Sequence, residues 1–224
     1  MTPPIDLVIF DCDGVLIDSE IISAQMLIDS LAGLGVQIDL AYVAQHFLGR
    51  SYPVVMAQIR REFGLDLPED FEDVYRARLL AAFSDGLRIM PGVAEVIGRL
   101  GRPYCVATSS SPKRVELSLT LVGLEHLLGP HLFTSTMVAR GKPAPDLFLH
   151  AAQAMGADPA RCLVIEDSLM GIKAGLAAGM VVWRFTGGSH LRGRSLSEPD
   201  DSRPALHFDD FATSFDLAPE LERR

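Results

Sequence analysis

The stretch Ile5-Asp6-Leu7-Val8-Ile9-Phe10-Asp11-Cys12-Asp13-Gly14 opens on a short, largely apolar run and stops on two aspartates one residue apart. A run of that length, rich in β-branched residues, predicts a strand buried on both faces, the kind found inside a parallel sheet. Working outward, Tyr104 to Thr108, Leu132 to Ser135, Cys162 to Ile165, Met180 to Phe185 and Ala205 to Phe208 are further short runs of the same character. Between them the spacing predicts helices from Pro91 to Leu100, Pro112 to Val122, Pro145 to Met155 and Ser168 to Ala178, the last ending at Gly179. Strands alternating with helices of about a dozen residues mean an α/β fold, a Rossmann-like parallel sheet joined by right-handed crossovers.

One segment breaks the alternation. From Asp18 to about Asp85 no strand pattern occurs, and apolar residues recur at helical spacing: Ile21, Ala24, Leu27, Ile28, Leu31 and Leu34, stopping at Gly35. Asp39 is placed to cap a second helix through Phe47, Ser51 with Pro53 to open a third through Phe63, and Pro68 to open a fourth carrying Phe71, Val74, Leu79 and Phe83. The expected organisation is a sheet core over 1–17 and 86–224, interrupted by an all-α insertion over 18–85. The stretch 187–204, with Gly187, Gly188, Pro199 and Pro204, reads as a loop.

Composition narrows the function. The 224 residues, 48% hydrophobic and 22% charged, suffice for one core plus a small second domain and exclude a disordered chain. With 20 basic against 29 acidic residues the formal charge is -9, which argues against a nucleic-acid partner or an anionic membrane surface. Cys12, Cys105 and Cys162 are widely spaced within apolar runs, pointing to buried thiols in a reducing compartment. The opening residues carry neither a basic region nor a long apolar one, so a cytoplasmic location is expected.

In an open parallel sheet, ligands bind beyond the carboxyl ends of the strands. Asp11 and Asp13 follow the first strand, Thr108 with Ser109, Ser110 and Ser111 ends the second, Lys142 lies in Gly141-Lys142-Pro143-Ala144-Pro145-Asp146, and Glu166-Asp167 ends a later one. Taken singly, each is ordinary turn or capping chemistry. Together they converge several carboxylates that would repel one another, which calls for a divalent cation, and oxygen-only ligation favours Mg2+, a natural partner of phosphate.

Asp11-Cys12-Asp13-Gly14-Val15-Leu16-Ile17-Asp18-Ser19-Glu20 resembles the first motif of the haloacid dehalogenase superfamily, Thr108 is similar to its second, Lys142 to its third, and Glu166-Asp167-Ser168 with Gly171, Ala174 and Gly175 to its fourth. All occur in order, and the helical insertion resembles the family's cap domain. The resemblance implies Asp11 as a nucleophile that becomes an aspartyl phosphate and Asp13 as general acid and base. It further implies Mg2+ held by Asp11, the Asp13 backbone carbonyl and Asp167, with Glu166 binding directly or through water. Thr108, Gly14 and the neighbouring Ser109 and Ser110 would cradle the phosphoryl oxygens, and Lys142 would neutralise charge.

Asp13 separates the chain from the dehalogenases, which lack a second Asp there, so that it resembles the phosphoryl-transfer branch of the family. A small phosphomonoester, a sugar phosphate, is the expected substrate. The alternative is a phosphosugar mutase like β-phosphoglucomutase, whose cap-side histidine aligns with Ser23 in this chain. A phosphoryl-receiver module is a second alternative, but needs no insertion. Substrate choice should come from the insertion, with Arg50 the first candidate, Glu20 and Ser23 next, and Arg76 and Arg78 weaker. A monomer is expected, since the cap itself supplies closure.

Overall fold

The computed structural model describes residues 4–193 and 198–223. The chain runs β1 (Leu7–Phe10), α1 (Glu20–Ala32), α2 (Leu40–His46), α3 (Tyr52–Phe63), α4 (Phe71–Gly86), α5 (Val93–Arg99) and β2 (Tyr104–Thr108). It continues through α6 (Pro112–Leu121), β3 (Leu132–Thr134), α7 (Asp146–Ala154), β4 (Cys162–Glu166), α8 (Leu169–Ala177), β5 (Val181–Phe185), β6 (Leu206–Phe208) and α9 (Ser214–Leu217). The strands form one six-stranded sheet of order β3-β2-β1-β4-β5-β6, parallel throughout. This is the Rossmann-like α/β core that the alternation of strands and helices predicts.

β1 lies where the strand order reverses, between β2 and β4, with Phe10 in register with Val106 on one side and Ile165 on the other. The residues just beyond it, Asp11 and Asp13, therefore stand at the topological switch point, where the two flanking crossovers part and leave a crevice. Side chains alternate along the strand: Val8 and Phe10 pack into one apolar cluster, Leu7 and Ile9 into another on the opposite face. The second cluster is closed by Leu147 and Phe148 of α7 and Ile172 of α8. The first continues without a break into the helices between β1 and α5, through Leu27, Leu31, Phe47, Ile59, Leu79 and Phe83. The three cysteines are buried free thiols.

Two strands of chain connect those helices to the sheet, and they pair with each other. The Asp18 N–H donates to the Arg88 carbonyl (2.9 Å) and the Met90 N–H to the Leu16 carbonyl (2.8 Å), around an antiparallel bridge between Ile17 and Ile89.

Helix starts fall later than several prolines suggest. α4 begins at Phe71 rather than Pro68, whose carbonyl instead accepts from the Phe71 N–H in a preceding turn, and α5 begins at Val93, beyond Pro91. A proline tolerates the turn before a helix as readily as the first helical position. α1 ends at Ala32; Gly35, at φ 83°, serves the turn beyond, where the Val36 N–H closes on the Leu31 carbonyl. Asp39 caps α2 as expected, its carboxylate accepting from the Tyr42 N–H. Part of the expected loop 187–204, residues 194–197, lies outside the described residues, and Asp200–Ser202 within it forms a 3-10 turn.

Candidate functional site

Three strand ends deliver a buried charge cluster. Asp11 follows β1, and its N–H donates to the Ile165 carbonyl of β4, which fixes it against the neighbouring strand. The Lys142 ammonium donates to Asp11 Oδ1 (2.6 Å), Glu166 Oε1 (2.7 Å) and the Ala107 carbonyl (3.1 Å), using all three of its protons. Burial opposes the lysine's charge, but Asp11 and Glu166 more than offset it and hold it above the ordinary lysine range. Glu166 is committed on its other side too, its Oε2 accepting from the Asp167 and Ser168 N–H groups and from the Ser168 hydroxyl. Ser168 in turn caps α8 by accepting from the Gly171 N–H.

Carboxylate oxygens of Asp11, Glu166 and Asp167, all buried, lie within 4.8 Å of one another. Burial pushes the Asp11 carboxyl well above its usual range, and the charges of Glu166, Asp167 and Asp13 add to that against the opposing Lys142. Asp167 is raised the same way, by burial and then by Glu166. One ammonium among three clustered carboxylates leaves a negative excess, and the donors are hard oxygens, so the set fits a divalent cation of the magnesium type. Gly14 makes the close packing behind Asp167 possible: at φ 81°, a Cβ there would stand 2.1 Å from Asp167 Oδ2.

Asp13 faces the other way, and both its oxygens are engaged. Oδ1 accepts from the Ser19 hydroxyl (2.6 Å) and Arg114 Nη2 (2.7 Å), and Oδ2 from the hydroxyls of Ser110 (2.6 Å) and Thr108 (3.5 Å). Burial would raise its pKa, but Arg114 and these hydroxyls outweigh burial and hold the carboxyl below its ordinary value. Thr108 Oγ1 also accepts from the Ser110 N–H (3.0 Å), which curls the chain after β2 into the start of α6.

The helices between β1 and α5 roof this cluster. The Ser109 hydroxyl donates to the Gly49 carbonyl (3.0 Å), and a Cβ on Gly49, at φ 73°, would lie 2.1 Å from the Ser168 hydroxyl. A cavity of about 690 Å³ opens between roof and sheet, lined by Asp11, Asp13, Glu20, Arg50, Tyr52 and Arg114 among others. Its size suits a small organic ligand. Glu20 opens α1; burial, then Asp13 and Asp167, push its carboxyl up to about 8. Arg50 forms no ion pair among the described residues, and its Nε is buried there without a hydrogen-bond partner. Arg76 lines the cavity paired with Glu72 and stacked over Tyr52, while Arg78 is exposed.

Four neighbours of the site were not among the sequence candidates. Ser19 and Arg114 hold Asp13, and on the far side Ser189 donates through its N–H (3.1 Å) and hydroxyl (2.8 Å) to Asp18 Oδ1, with His190 Nε2 2.8 Å from Asp167 Oδ2. A signal existed for three of them. Gly187-Gly188-Ser189-His190 follows a strand end, where the same inspection rule applies, and a cation in the first turn of α6 stands at the unfavourable end of the helix dipole, so Arg114 needs an anion nearby.

A family profile described as haloacid dehalogenase-like hydrolase matches residues 5–179. The chain is 30% identical over 187 residues to a 6-phosphogluconate phosphatase of Escherichia coli K12, covering 83% of this chain and 85% of that one. It is 33% identical over 177 residues to a fructose-1-phosphate phosphatase of the same organism, covering 77% and 92%. A solved HAD family hydrolase from Deinococcus radiodurans R1, with bound phosphate and sodium, superposes with a TM-score of 0.76 at 36% identity, covering 98% of each chain. With the ordered acidic and lysine strand ends now seen to converge, the chain belongs to the haloacid dehalogenase-like hydrolase family.

Proposed function

We propose that this protein is a magnesium-dependent phosphatase that hydrolyses a small phosphomonoester, a sugar phosphate, through an aspartyl-phosphate intermediate. The observation that carries the reading is Asp11 at the wall of the 690 Å³ cavity beside Asp13, backed by the buried Lys142, Glu166 and Asp167 that it touches or lies near. The activities of the relatives, a 6-phosphogluconate phosphatase and a fructose-1-phosphate phosphatase, support the substrate class.

Asp11 is the nucleophile: a carboxylate oxygen attacks phosphorus while the bond from phosphorus to the ester oxygen breaks and its electron pair leaves with the alcohol. Lys142 orients Asp11 through Oδ1, leaving the second oxygen for the attack. Asp13, held as the carboxylate in the ligand-free site, takes up the proton of a substrate phosphate entering as its monoanion and passes it to the departing oxygen; then, again the carboxylate, it takes one from the water that attacks the acyl phosphate and frees Asp11. Thr108 and the Ser109 N–H border the position of the phosphoryl oxygens, the Ser110 N–H being committed to Thr108 Oγ1. Asp11, Asp167 and the Asp13 carbonyl would hold the Mg2+, whose contribution when bound is to offset charge between carboxylate and phosphate. Glu166, with both oxygens engaged, anchors Lys142 and would reach the ion through water. The insertion over 18–85 serves as a cap that excludes water and reads the alcohol through Arg50 and Glu20.

The test is phosphate release from p-nitrophenyl phosphate and a panel of sugar phosphates, with Mg2+ and with EDTA, for wild type and Asp11→Asn. Release that needs Mg2+ and falls at least ~10³-fold in the variant is expected. Undiminished release from Asp11→Asn contradicts the reading.

A further inference from the structure

Arg114 sits in the first turn of α6, yet its side chain spans the crevice between sheet and insertion. Nη2 donates to Asp13 Oδ1 (2.7 Å) and to the Ser23 hydroxyl of α1 (3.1 Å), and the guanidinium lies 5.2 Å from the centroid of the Phe83 ring of α4. Ser23 can accept that bond because its own proton goes to the Ser19 carbonyl (2.9 Å). Arg114 is thus held by two helices of the insertion while holding a side chain that belongs to the sheet's central strand end. Among the described residues it is the one cation paired with Asp13.

A plain stabilising role explains this poorly. A largely buried ion pair contributes little net stability, because desolvation of both charges cancels most of the attraction. Arg114 also lines the cavity itself, and its Nε is buried without a hydrogen-bond partner among the described residues. What the arrangement does supply is direction. Two of the four donors on Asp13, Thr108 and Ser110, come from the end of β2 and the turn after it, and they fix Oδ2. Oδ1 is fixed by Ser19 and Arg114, and the charge-assisted bond from Arg114 is the stronger of the two.

We propose that Arg114 is the positioning residue for Asp13 and that, through Ser23 and Phe83, it makes the orientation of the Asp13 carboxyl depend on how the insertion is seated over the sheet. This rests on the phosphatase reading, in which Asp13 hands its proton to the ester oxygen as the bond to phosphorus breaks and the electron pair moves onto that oxygen. When the insertion is seated, Arg114 is clamped and Asp13 is aimed; when it lifts, Ser23 and Phe83 leave the guanidinium and Asp13 loses its strongest director. Proton delivery is thereby tied to a covered substrate.

Two esters of nearly the same shape test this. p-Nitrophenolate leaves as an anion and needs no proton, whereas the more basic phenolate does, so kcat/KM on p-nitrophenyl phosphate against phenyl phosphate isolates proton delivery in the first step. Arg114→Met keeps the aliphatic packing on Phe83 and removes the donor. It is expected to lose roughly 10²-fold on phenyl phosphate and less than about tenfold on p-nitrophenyl phosphate, with Arg114→Lys recovering part of the difference. Ser23→Ala, which cuts only the link to the insertion, is expected to shift the same ratio by about fivefold, the worth of one hydrogen bond. Equal losses on both esters, or none, overturn the positioning role, and an unchanged ratio in Ser23→Ala overturns the coupling to the insertion. Turnover in Asp11→Asn equal to wild type brings down the phosphatase reading instead, which separates the two failures.

Discussion

The strand ends and the roof above them handle charge in opposite ways. At the strand ends each charged side chain touches a partner, even though the clustered carboxylates outnumber the ammonium: Lys142 bridges Asp11 and Glu166, His190 stands against Asp167, and Arg184 donates to the Asp167 carbonyl while pairing with Glu198. On the insertion side of the cavity, Arg50 has no carboxylate partner among the described residues and Glu20 has been pushed toward its neutral form. A site with its charges mutually fixed is preorganised and performs the same chemistry on any phosphate. A wall with uncommitted donors is suited to choosing what is attached to that phosphate.

The comparison breaks most sharply at Lys142. Lys142→Met leaves Asp11 and Glu166 buried without their shared cation, and the loss in unfolding free energy is expected at ~3–5 kcal/mol by urea titration in EDTA. Added Mg2+ should recover part of it, since it relieves the same repulsion. A midpoint that does not move in EDTA would show that the strand-end charges are not held by this lysine.

On the roof the expected change is in recognition. Arg50→Ala should raise KM for the best sugar phosphate about tenfold while lowering turnover of p-nitrophenyl phosphate much less. Equal losses on both would place Arg50 with the general machinery.

How much of this was legible in the sequence follows the same division. Asp11, Thr108, Glu166 and Asp167 stand at strand ends and Lys142 in the connection from β3 to α7 on the same side, so a rule about parallel sheets and a reading of short apolar runs suffice to bring them together. β1, β2 and α3 fall where periodicity and capping residues place them, because both faces of the strands are buried and the patterns are clean. The partners of Asp13 were less visible. Arg114 is 101 residues from Asp13 and 91 from Ser23 along the chain, and their meeting depends on how α1 and α4 settle over α6, which no local pattern encodes. Ser189 and His190 were hidden differently, inside a polar stretch with the composition of an ordinary loop.

The pH dependence of stability sharpens the contrast between a carboxyl that touches a cation and one that does not. Glu20, at about 8 in the folded chain against an ordinary 4.5, keeps its proton over a pH range in which the unfolded chain has lost it. The unfolded state therefore binds fewer protons across that window, and the stability contributed at Glu20 falls as pH rises from 4.5 to 8 and then levels. Glu20→Gln, melted in EDTA, should gain on wild type progressively between pH 5 and pH 8. Parallel curves would show Glu20 to be ordinarily solvated.

The central claim, that Asp11 carries the phosphoryl group, is tested most directly in Asp13→Asn. With p-nitrophenyl phosphate the first step needs no proton but the second needs a base, so acid-quenched protein should carry one phosphoryl group per chain, mapped by mass spectrometry to the peptide containing Asp11. Continued turnover with no phosphoprotein trapped, or a phosphoryl group found on another residue, would contradict it.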